Sequence, residues 1–402
     1  MNVSLYIKIL NFIIREMFIM NSSAFDSAKT ASPRNLPELK NRLRSLDILR
    51  GFDMFWIVGG AALVRSVVRY LDYPSLMPII DHLRHAEWEG FLAWDLIFPL
   101  FIFISGTTMP FSFEKYLASG NKGKLYLRVI RRAILLILLG FLYNGLLRTL
   151  DFANFRYLSV LGLIGLAYLW ASMVVIHFKP LGQAIGAAVI LVMYWGLMSF
   201  VPVPGHGAGV LTPEGNFASM IDRLIVPGTL LDGVTDPSGF LMSVPASVLA
   251  IAGALSGHLL KRQDVGQYRK CLLIGVAGVG CLLAGLGWGV SFPIIKRLWT
   301  STFVLYALGW SLLLLALFYM VVDIWKIRRI FFPFLLIGVN PLTIYIINRR
   351  VIDFRHMADF FFGGLARLAG EPLQPVVLSA GTMVCIFVFL YILYRKKMFL
   401  KV

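Results

Sequence analysis

Residues 299–322 read WTSTFVLYALGWSLLLLALFYMVV, 24 positions without a charged side chain. A helix needs about 20 apolar residues to cross a hydrocarbon core of about 30 Å. An open strand of this composition would leave its backbone groups unpaired in lipid, so helix is the state that satisfies them. Charge stops the run on both sides. Lys296 and Arg297 precede it, and Asp323, Lys326, Arg328 and Arg329 follow. Comparable runs lie at 47–70, 92–113, 129–150, 157–177, 181–202, 240–261, 270–291, 330–352 and 376–395, about ten in all. The expected fold is all-α, a polytopic membrane helical bundle.

Composition agrees. Hydrophobic residues make up 58% of the 402 positions and charged residues 15%, against about 25% charged in soluble domains. The alternating pattern of a membrane barrel is absent. The net charge of +17 sits in short clusters between apolar runs, the distribution membrane topology demands and not that of a nucleic-acid surface. Cys271, Cys281 and Cys385 lie in or beside apolar runs without metal spacing, so they read as small buried hydrophobes and no metal site is expected.

The basic clusters set the orientation. Lys40, Arg42 and Arg44 precede the first span; Lys115, Lys122, Lys124 and Arg128 follow the second. Lys261, Arg262, Arg269 and Lys270 follow the sixth, and Arg395, Lys396, Lys397 and Lys401 end the chain. All fall on one side, read as the cytoplasm, with both termini inside. Loops 71–91 and 203–239 then face outward. The exception is the loop after the ninth span, which carries Arg349, Arg350, Arg355 and Arg367. Residues 1–41 form a lead-in: an interrupted apolar stretch at 5–20, either an interfacial helix or a start placed too early, then a polar segment. Residues 42–402 form one membrane domain.

Ionisable residues within spans are costly, which makes them functional candidates. Asp47 and Arg50 are three apart on the first span and share a face; they either lock the helix end or touch a ligand. His85-Ala86-Glu87-Trp88-Glu89-Gly90 stands at the mouth of the second span, followed by Asp95. His85 and His82 are equal candidates for a base, acid or nucleophile on local sequence. Asp95 either caps its helix or orients a basic partner. Lys296 and Arg297 either snorkel to lipid phosphate or hold an anionic ligand group. Asn340-Pro341 breaks an apolar run, either as a plain kink or as the broken helix of a membrane binding site. No P-loop, GxSxG elbow or zinc spacing occurs.

In this order the clusters resemble the heparan-α-glucosaminide N-acetyltransferase family, in its bacterial branch, over residues 42–395. The matching pieces are Arg44-Ser45-Leu46-Asp47 with Arg50-Gly51, His85 to Gly90, and Asp95-Leu96-Ile97-Phe98-Pro99 with Phe103-Ile104-Ser105-Gly106. Asp236-Pro237 with Gly239, Lys296 with Leu298-Trp299-Thr300, and Gly338 with Asn340 complete them. The resemblance implies acetyl transfer from cytosolic acetyl-CoA to an amino sugar or glycan across a bacterial inner membrane, without a metal. It selects His85 over His82 as the active histidine, with Asp95 and Lys296 as catalytic partners. It places Asp47, Arg50 and Asn340 on the donor, with Lys296 and Asn340 as donors to the thioester carbonyl. Glu87, Trp88, Asp236 and Trp299 fall on the acceptor, Trp88 either stacking on a sugar or anchoring at the interface. Contact with membrane lipid and a homodimer would suit the family. Two departures stand out: Val58-Gly59-Gly60-Ala61 lacks the asparagine of the family's lysosomal members, and Val160-Leu161-Gly162-Leu163 lacks the Gln-Arg usual in the family's fourth-span motif. Intramembrane charges and a broken helix would also serve a transporter or flippase for an anionic or lipid-linked solute, and the departures would suit a non-catalytic partner.

Overall fold

A computed structural model describes residues 43–146, 150–348 and 351–399; the expected lead-in lies outside the described residues. Its elements are helical, and β-pairing among the described residues is limited to isolated bridges. We number the main helices α1 (Arg44–Leu71), α2 (Ala93–Ala118), α3 (Lys122–Asn144), α4 (Val160–His177) and α5 (Pro180–Phe200). They continue with α6 (Phe217–Ile225), α7 (Ser243–Lys261), α8 (Gln267–Gly289) and α9 (Ser301–Ile324). The last four are α10 (Phe332–Gly338), α11 (Pro341–Ile347), α12 (Phe354–Leu368) and α13 (Gln374–Arg395).

Eight of these, α1, α2, α4, α5, α7, α8, α9 and α13, are long and apolar enough to cross a membrane. The chain is a multi-pass membrane protein. The remaining two expected spans differ for physical reasons. The third, α3, has 23 residues but carries Lys122, Lys124, Arg128, Arg131 and Arg132 on its first half. The ninth is broken. Pro341 has no N–H to continue the ladder, so two seven-residue helices, α10 and α11, meet at Asn340. The chain then enters α12, which lies along α13. Arg355 and Arg367 therefore belong to a helix and not to the basic outer loop expected there.

The bundle is ordered around α7, whose flanks are covered by α2, α4 and α5. Its Leu249, Ala250, Ile251 and Ala254 are fully buried and meet Phe103 and Ile104 of α2 in the main core. The periphery is apolar too: Leu272, Leu273, Val276, Val279, Leu283 and Leu286 project outward from α8. Without water to drive association, helices in lipid hold by close packing, and small residues permit it. The crossing of α1 and α10 is the tightest example. A Cβ on Gly51 would lie 1.7 Å from the Phe334 carbonyl, and one on Gly338 would lie 1.8 Å from that of Asp47.

The loops that follow α1 and α5 meet at one end of the bundle. Residues 72–92 close over it with a short helix, Met77–His82, and the segment 201–242 folds beside them with α6. Trp88 ties the two together by donating its indole N–H to the Leu211 carbonyl at 3.0 Å.

Candidate active site

Asp95 opens α2, buried without accessible surface. One carboxylate oxygen, Oδ2, accepts the backbone N–H groups of Leu92 at 3.0 Å and Ala86 at 3.2 Å. That fastens the segment 86–92 to the helix end. The other oxygen, Oδ1, meets His85 Nδ1 at 2.7 Å and Lys296 Nζ at 3.1 Å.

Lys296 lies 211 residues from His85 along the chain, and backbone pairing brings it in. Glu89 bridges Ile295, and Gly90 donates its N–H to the Ile294 carbonyl at 2.8 Å. Gly90 has φ +107°, where an L side chain is strained, so glycine suits the turn. After Lys296 the chain turns sharply at Trp299, a left-handed residue (φ 50°) whose indole N–H donates to the Pro237 carbonyl at 2.9 Å. Thr300 then caps α9 and also accepts from the Ile295 N–H. The lysine thus sits on a turn held at both ends.

Lys296 Nζ also lies 2.7 Å from His85 Nδ1. That nitrogen carries either a proton or a lone pair, so it serves Asp95 or Lys296, one at a time. With Nδ1–H on Asp95, Nε2 keeps its lone pair, and Lys296 Nζ lies 3.4 Å from it. Burial lowers the Lys296 ammonium from the ordinary lysine value, and the charge of Asp95 opposes that fall. The His85 side chain is 52% exposed and the other two are covered. The histidine is the group of the three that a molecule from outside can reach.

Sequence reading missed the residues around this cluster. Trp94 lies beside the imidazole, ring centroids 6.3 Å apart, and Arg65 sits over Trp94 while donating to the Leu83 carbonyl. His82 ends the short helix and is exposed. Arg65 is an ordinary basic residue in the α1 sequence, and only tertiary packing brings it here.

The remaining expected site residues separate into groups. Glu87 is exposed near His85. Trp88 is half-buried, its N–H used on Leu211 and Arg297 6.0 Å above its ring. Asp236 and Trp299 have no accessible surface. Asp236 receives two bonds from Arg156, at 2.7 and 2.9 Å, and two backbone N–H groups. Asp47 and Arg50 pair at 3.2 Å near the start of α1. Asn340 follows the Gly338 crossing at the same level and donates to the Met398 carbonyl at 3.1 Å. From Asp47 to Arg65, at the His85 end, is roughly 27 Å of helix at 1.5 Å per residue. Asn340 is therefore not beside the imidazole. Between the two levels lies a narrow apolar crevice of about 40 Å³, walled by Ile57 of α1, Ile97 and Phe101 of α2, Ile164 of α4, and Pro341 and Tyr345 of α11. No group of three or more His, Cys, Asp and Glu side chains suited to a metal occurs among the described residues.

The chain aligns with the curated "Heparan-alpha-glucosaminide N-acetyltransferase" of Mus musculus at 26% identity, over 90% of this chain and 61% of that protein. The protein of the same name from Homo sapiens aligns at 25% identity, over 91% and 61%. The chain is similar to both proteins over nine-tenths of its own length. It spans about three-fifths of their length. A family profile described as a domain of unknown function, DUF5009, matches residues 42–149, which include His85 and Asp95. The Val58–Ala61 stretch of α1 has no carboxamide of its own, and one reaches it from elsewhere. The helix loosens into a π turn at Trp56–Gly60, and Asn348, just past α11, donates to the Val58 carbonyl there at 3.2 Å.

The loop behind Trp299 holds a second buried carboxyl. Asp222 on α6 accepts the Phe240 N–H at 2.8 Å through Oδ1, and its Oδ2 is buried with no close hydrogen-bond donor among the described residues. Burial pushes this carboxyl up to about 7, and the nearby charge of Asp236 adds to the rise. A folded-state value above the unfolded one means the native protein holds the extra proton, so stability falls as pH rises between the two values. Thermal melts of the wild type in detergent should show that loss, about 1.4 kcal/mol per pH unit, from about pH 4 to about 7. Asp222→Asn should flatten it. An equal slope in the variant would assign it to other groups.

Proposed function

We propose that the chain is a transmembrane acetyltransferase, taking acetyl from acetyl-CoA at the Asp47–Arg50–Asn340 end and passing it to an amine of an amino sugar or glycan at the His85 end. The observation that carries this reading is the His85–Asp95–Lys296 cluster. Its imidazole is oriented by a buried carboxylate, flanked by a cation and open to the outside. The two similar proteins, named for N-acetyl transfer, support the reaction class. We place the donor end in the cytoplasm and the acceptor end in the periplasm of a bacterial inner membrane, with both termini cytoplasmic.

In the direct form of the reaction, His85 Nε2 removes a proton from the acceptor nitrogen as that nitrogen attacks the thioester carbonyl carbon. The C–N bond forms, the C–S bond breaks, and the departing thiolate takes the proton back from the imidazolium. In the covalent form Nε2 itself attacks the carbonyl carbon and the C–S bond breaks, so the imidazole holds the acetyl group and the thiolate leaves; the amine then attacks, the bond from Nε2 to the acetyl carbon breaks, and the amine's proton passes to the thiolate. Either way negative charge grows on the carbonyl oxygen, and the Lys296 ammonium is the cation at hand. Asn340 lies too far along the bundle for that role and belongs with the donor. The apolar crevice between the two levels suits the pantetheine arm once its walls part. Glu87 and Trp88 serve the acceptor from the rim. Asp236 and Trp299 act one step back: Trp299 sets the turn that carries Lys296, and Asp236 anchors the loop on which it rests.

Purified protein should gain thermal stability with acetyl-CoA and release free thiol over many turnovers only when an amino sugar is added. No stabilisation by acetyl-CoA or coenzyme A at saturation would overturn the reading.

A further inference from the structure

At the end of the bundle opposite His85, the last turn of α7 and the first turn of α8 wall a cavity of about 510 Å³. Leu43, Phe111 and Leu260 supply apolar wall, and Lys261, Arg262 and Lys270 supply charge. Lys270 is the unusual member, since it is 7% exposed. Its ammonium donates to the Leu260 carbonyl at 2.9 Å, one of the three bonds it can make. Among the described residues no carboxylate lies within ion-pair distance of it, and the nearest compensating charge is the exposed Asp264, which feels the Lys270 ammonium at longer range. A buried ammonium is costly unless an anion pairs with it. Lys261 and Arg262 do have carboxylate partners, Glu114 and Asp264, but these are 57% and 63% exposed. Such surface pairs are weak and exchange readily.

We propose that this cavity is an anion site for a phosphate ester, with Lys270 as its buried anchor and Lys261 and Arg262 at its rim. Three cations around one space suit a doubly charged group better than a carboxylate, and the arginine fork matches phosphate oxygens in pairs. The volume exceeds what a bare ion needs, and the apolar wall can take the organic part of the ester. Two sources carry that chemistry. One is a soluble phosphorylated molecule, such as a nucleoside phosphate. The other is the head group of an anionic phospholipid, whose chain could follow the exposed Leu272, Leu273 and Val276 of α8. The site does not depend on the acetyl-transfer reading.

The test uses the full chain. Adenosine 3′,5′-bisphosphate is titrated against protein in neutral detergent and binding followed by thermal shift. In parallel, protein from nanodiscs of phosphatidylglycerol or of phosphatidylcholine is examined for retained lipid by native mass spectrometry. Saturable binding of one probe is expected, weakened at least about tenfold by Arg262→Gln and lost in Lys270→Met. The responding probe identifies the source. Arg262 is exposed, so its variant keeps the proposal testable if Lys270→Met fails to fold. Absence of binding by both probes, or binding unchanged in the variants, would overturn the site. Probe binding in a protein that never turns over acetyl-CoA would leave it standing.

Discussion

His85→Ala is expected to lower acetyl-dependent thiol release at least about a hundredfold while leaving stabilisation by acetyl-CoA intact. A positioned acid–base group contributes on the order of 10² to 10⁴ in rate, and a nucleophile more. The imidazole is half exposed and makes no packing core, so its removal costs little stability. Donor binding is spared because Asp47, Arg50 and Asn340 lie at the far level of α1. The comparison therefore separates chemistry from binding. A rate within a few-fold of wild type would remove His85 from the mechanism, and loss of donor stabilisation would mean the donor rests on the imidazole itself.

Asp95→Asn is expected to cost both rate and stability, by different routes. Asparagine keeps the volume, and its oxygen would stay with the Leu92 and Ala86 N–H groups. Its NH₂ would then face His85 Nδ1 and the Lys296 ammonium, a donor set against both. The imidazole must accept at Nδ1 and carry its proton on Nε2, the wrong tautomer for a base, so turnover should fall on the order of a thousandfold. Lys296 loses its anion while covered, at a cost of about 3 kcal/mol. A second change, Lys296→Met, should return most of that stability by removing the stranded charge, without returning the rate. Melting temperatures and thiol release across the single and double variants decide it. Full activity in Asp95→Asn would show that the carboxylate does not set the tautomer.

Much of the site was legible in residue types. His85, Asp95 and Lys296 are ionisable groups at the ends of apolar runs, where burial has to be justified by a partner. The pairing itself was not legible from local sequence, since Lys296 and His85 are 211 positions apart and meet through the Glu89–Ile295 bridge. Asp236 and Trp299 were picked out with the acceptor, yet both are enclosed, because a motif position does not reveal exposure. Lys270 was counted only as part of a basic cluster. Its burial against the end of α7 depends on how two helices meet.

The helical class, the membrane setting and most spans follow from the sequence by itself, because an 18–24-residue apolar run in lipid has one way to satisfy its backbone. The break at Asn340-Pro341 is local as well, since proline removes a donor wherever it sits. Tertiary structure decided what followed the break: α12 lying along α13 where a loop was expected. It also decided which histidine has a buried carboxylate behind it and which charges stand together. Those outcomes depend on contacts between distant segments, and local hydropathy carries no record of them.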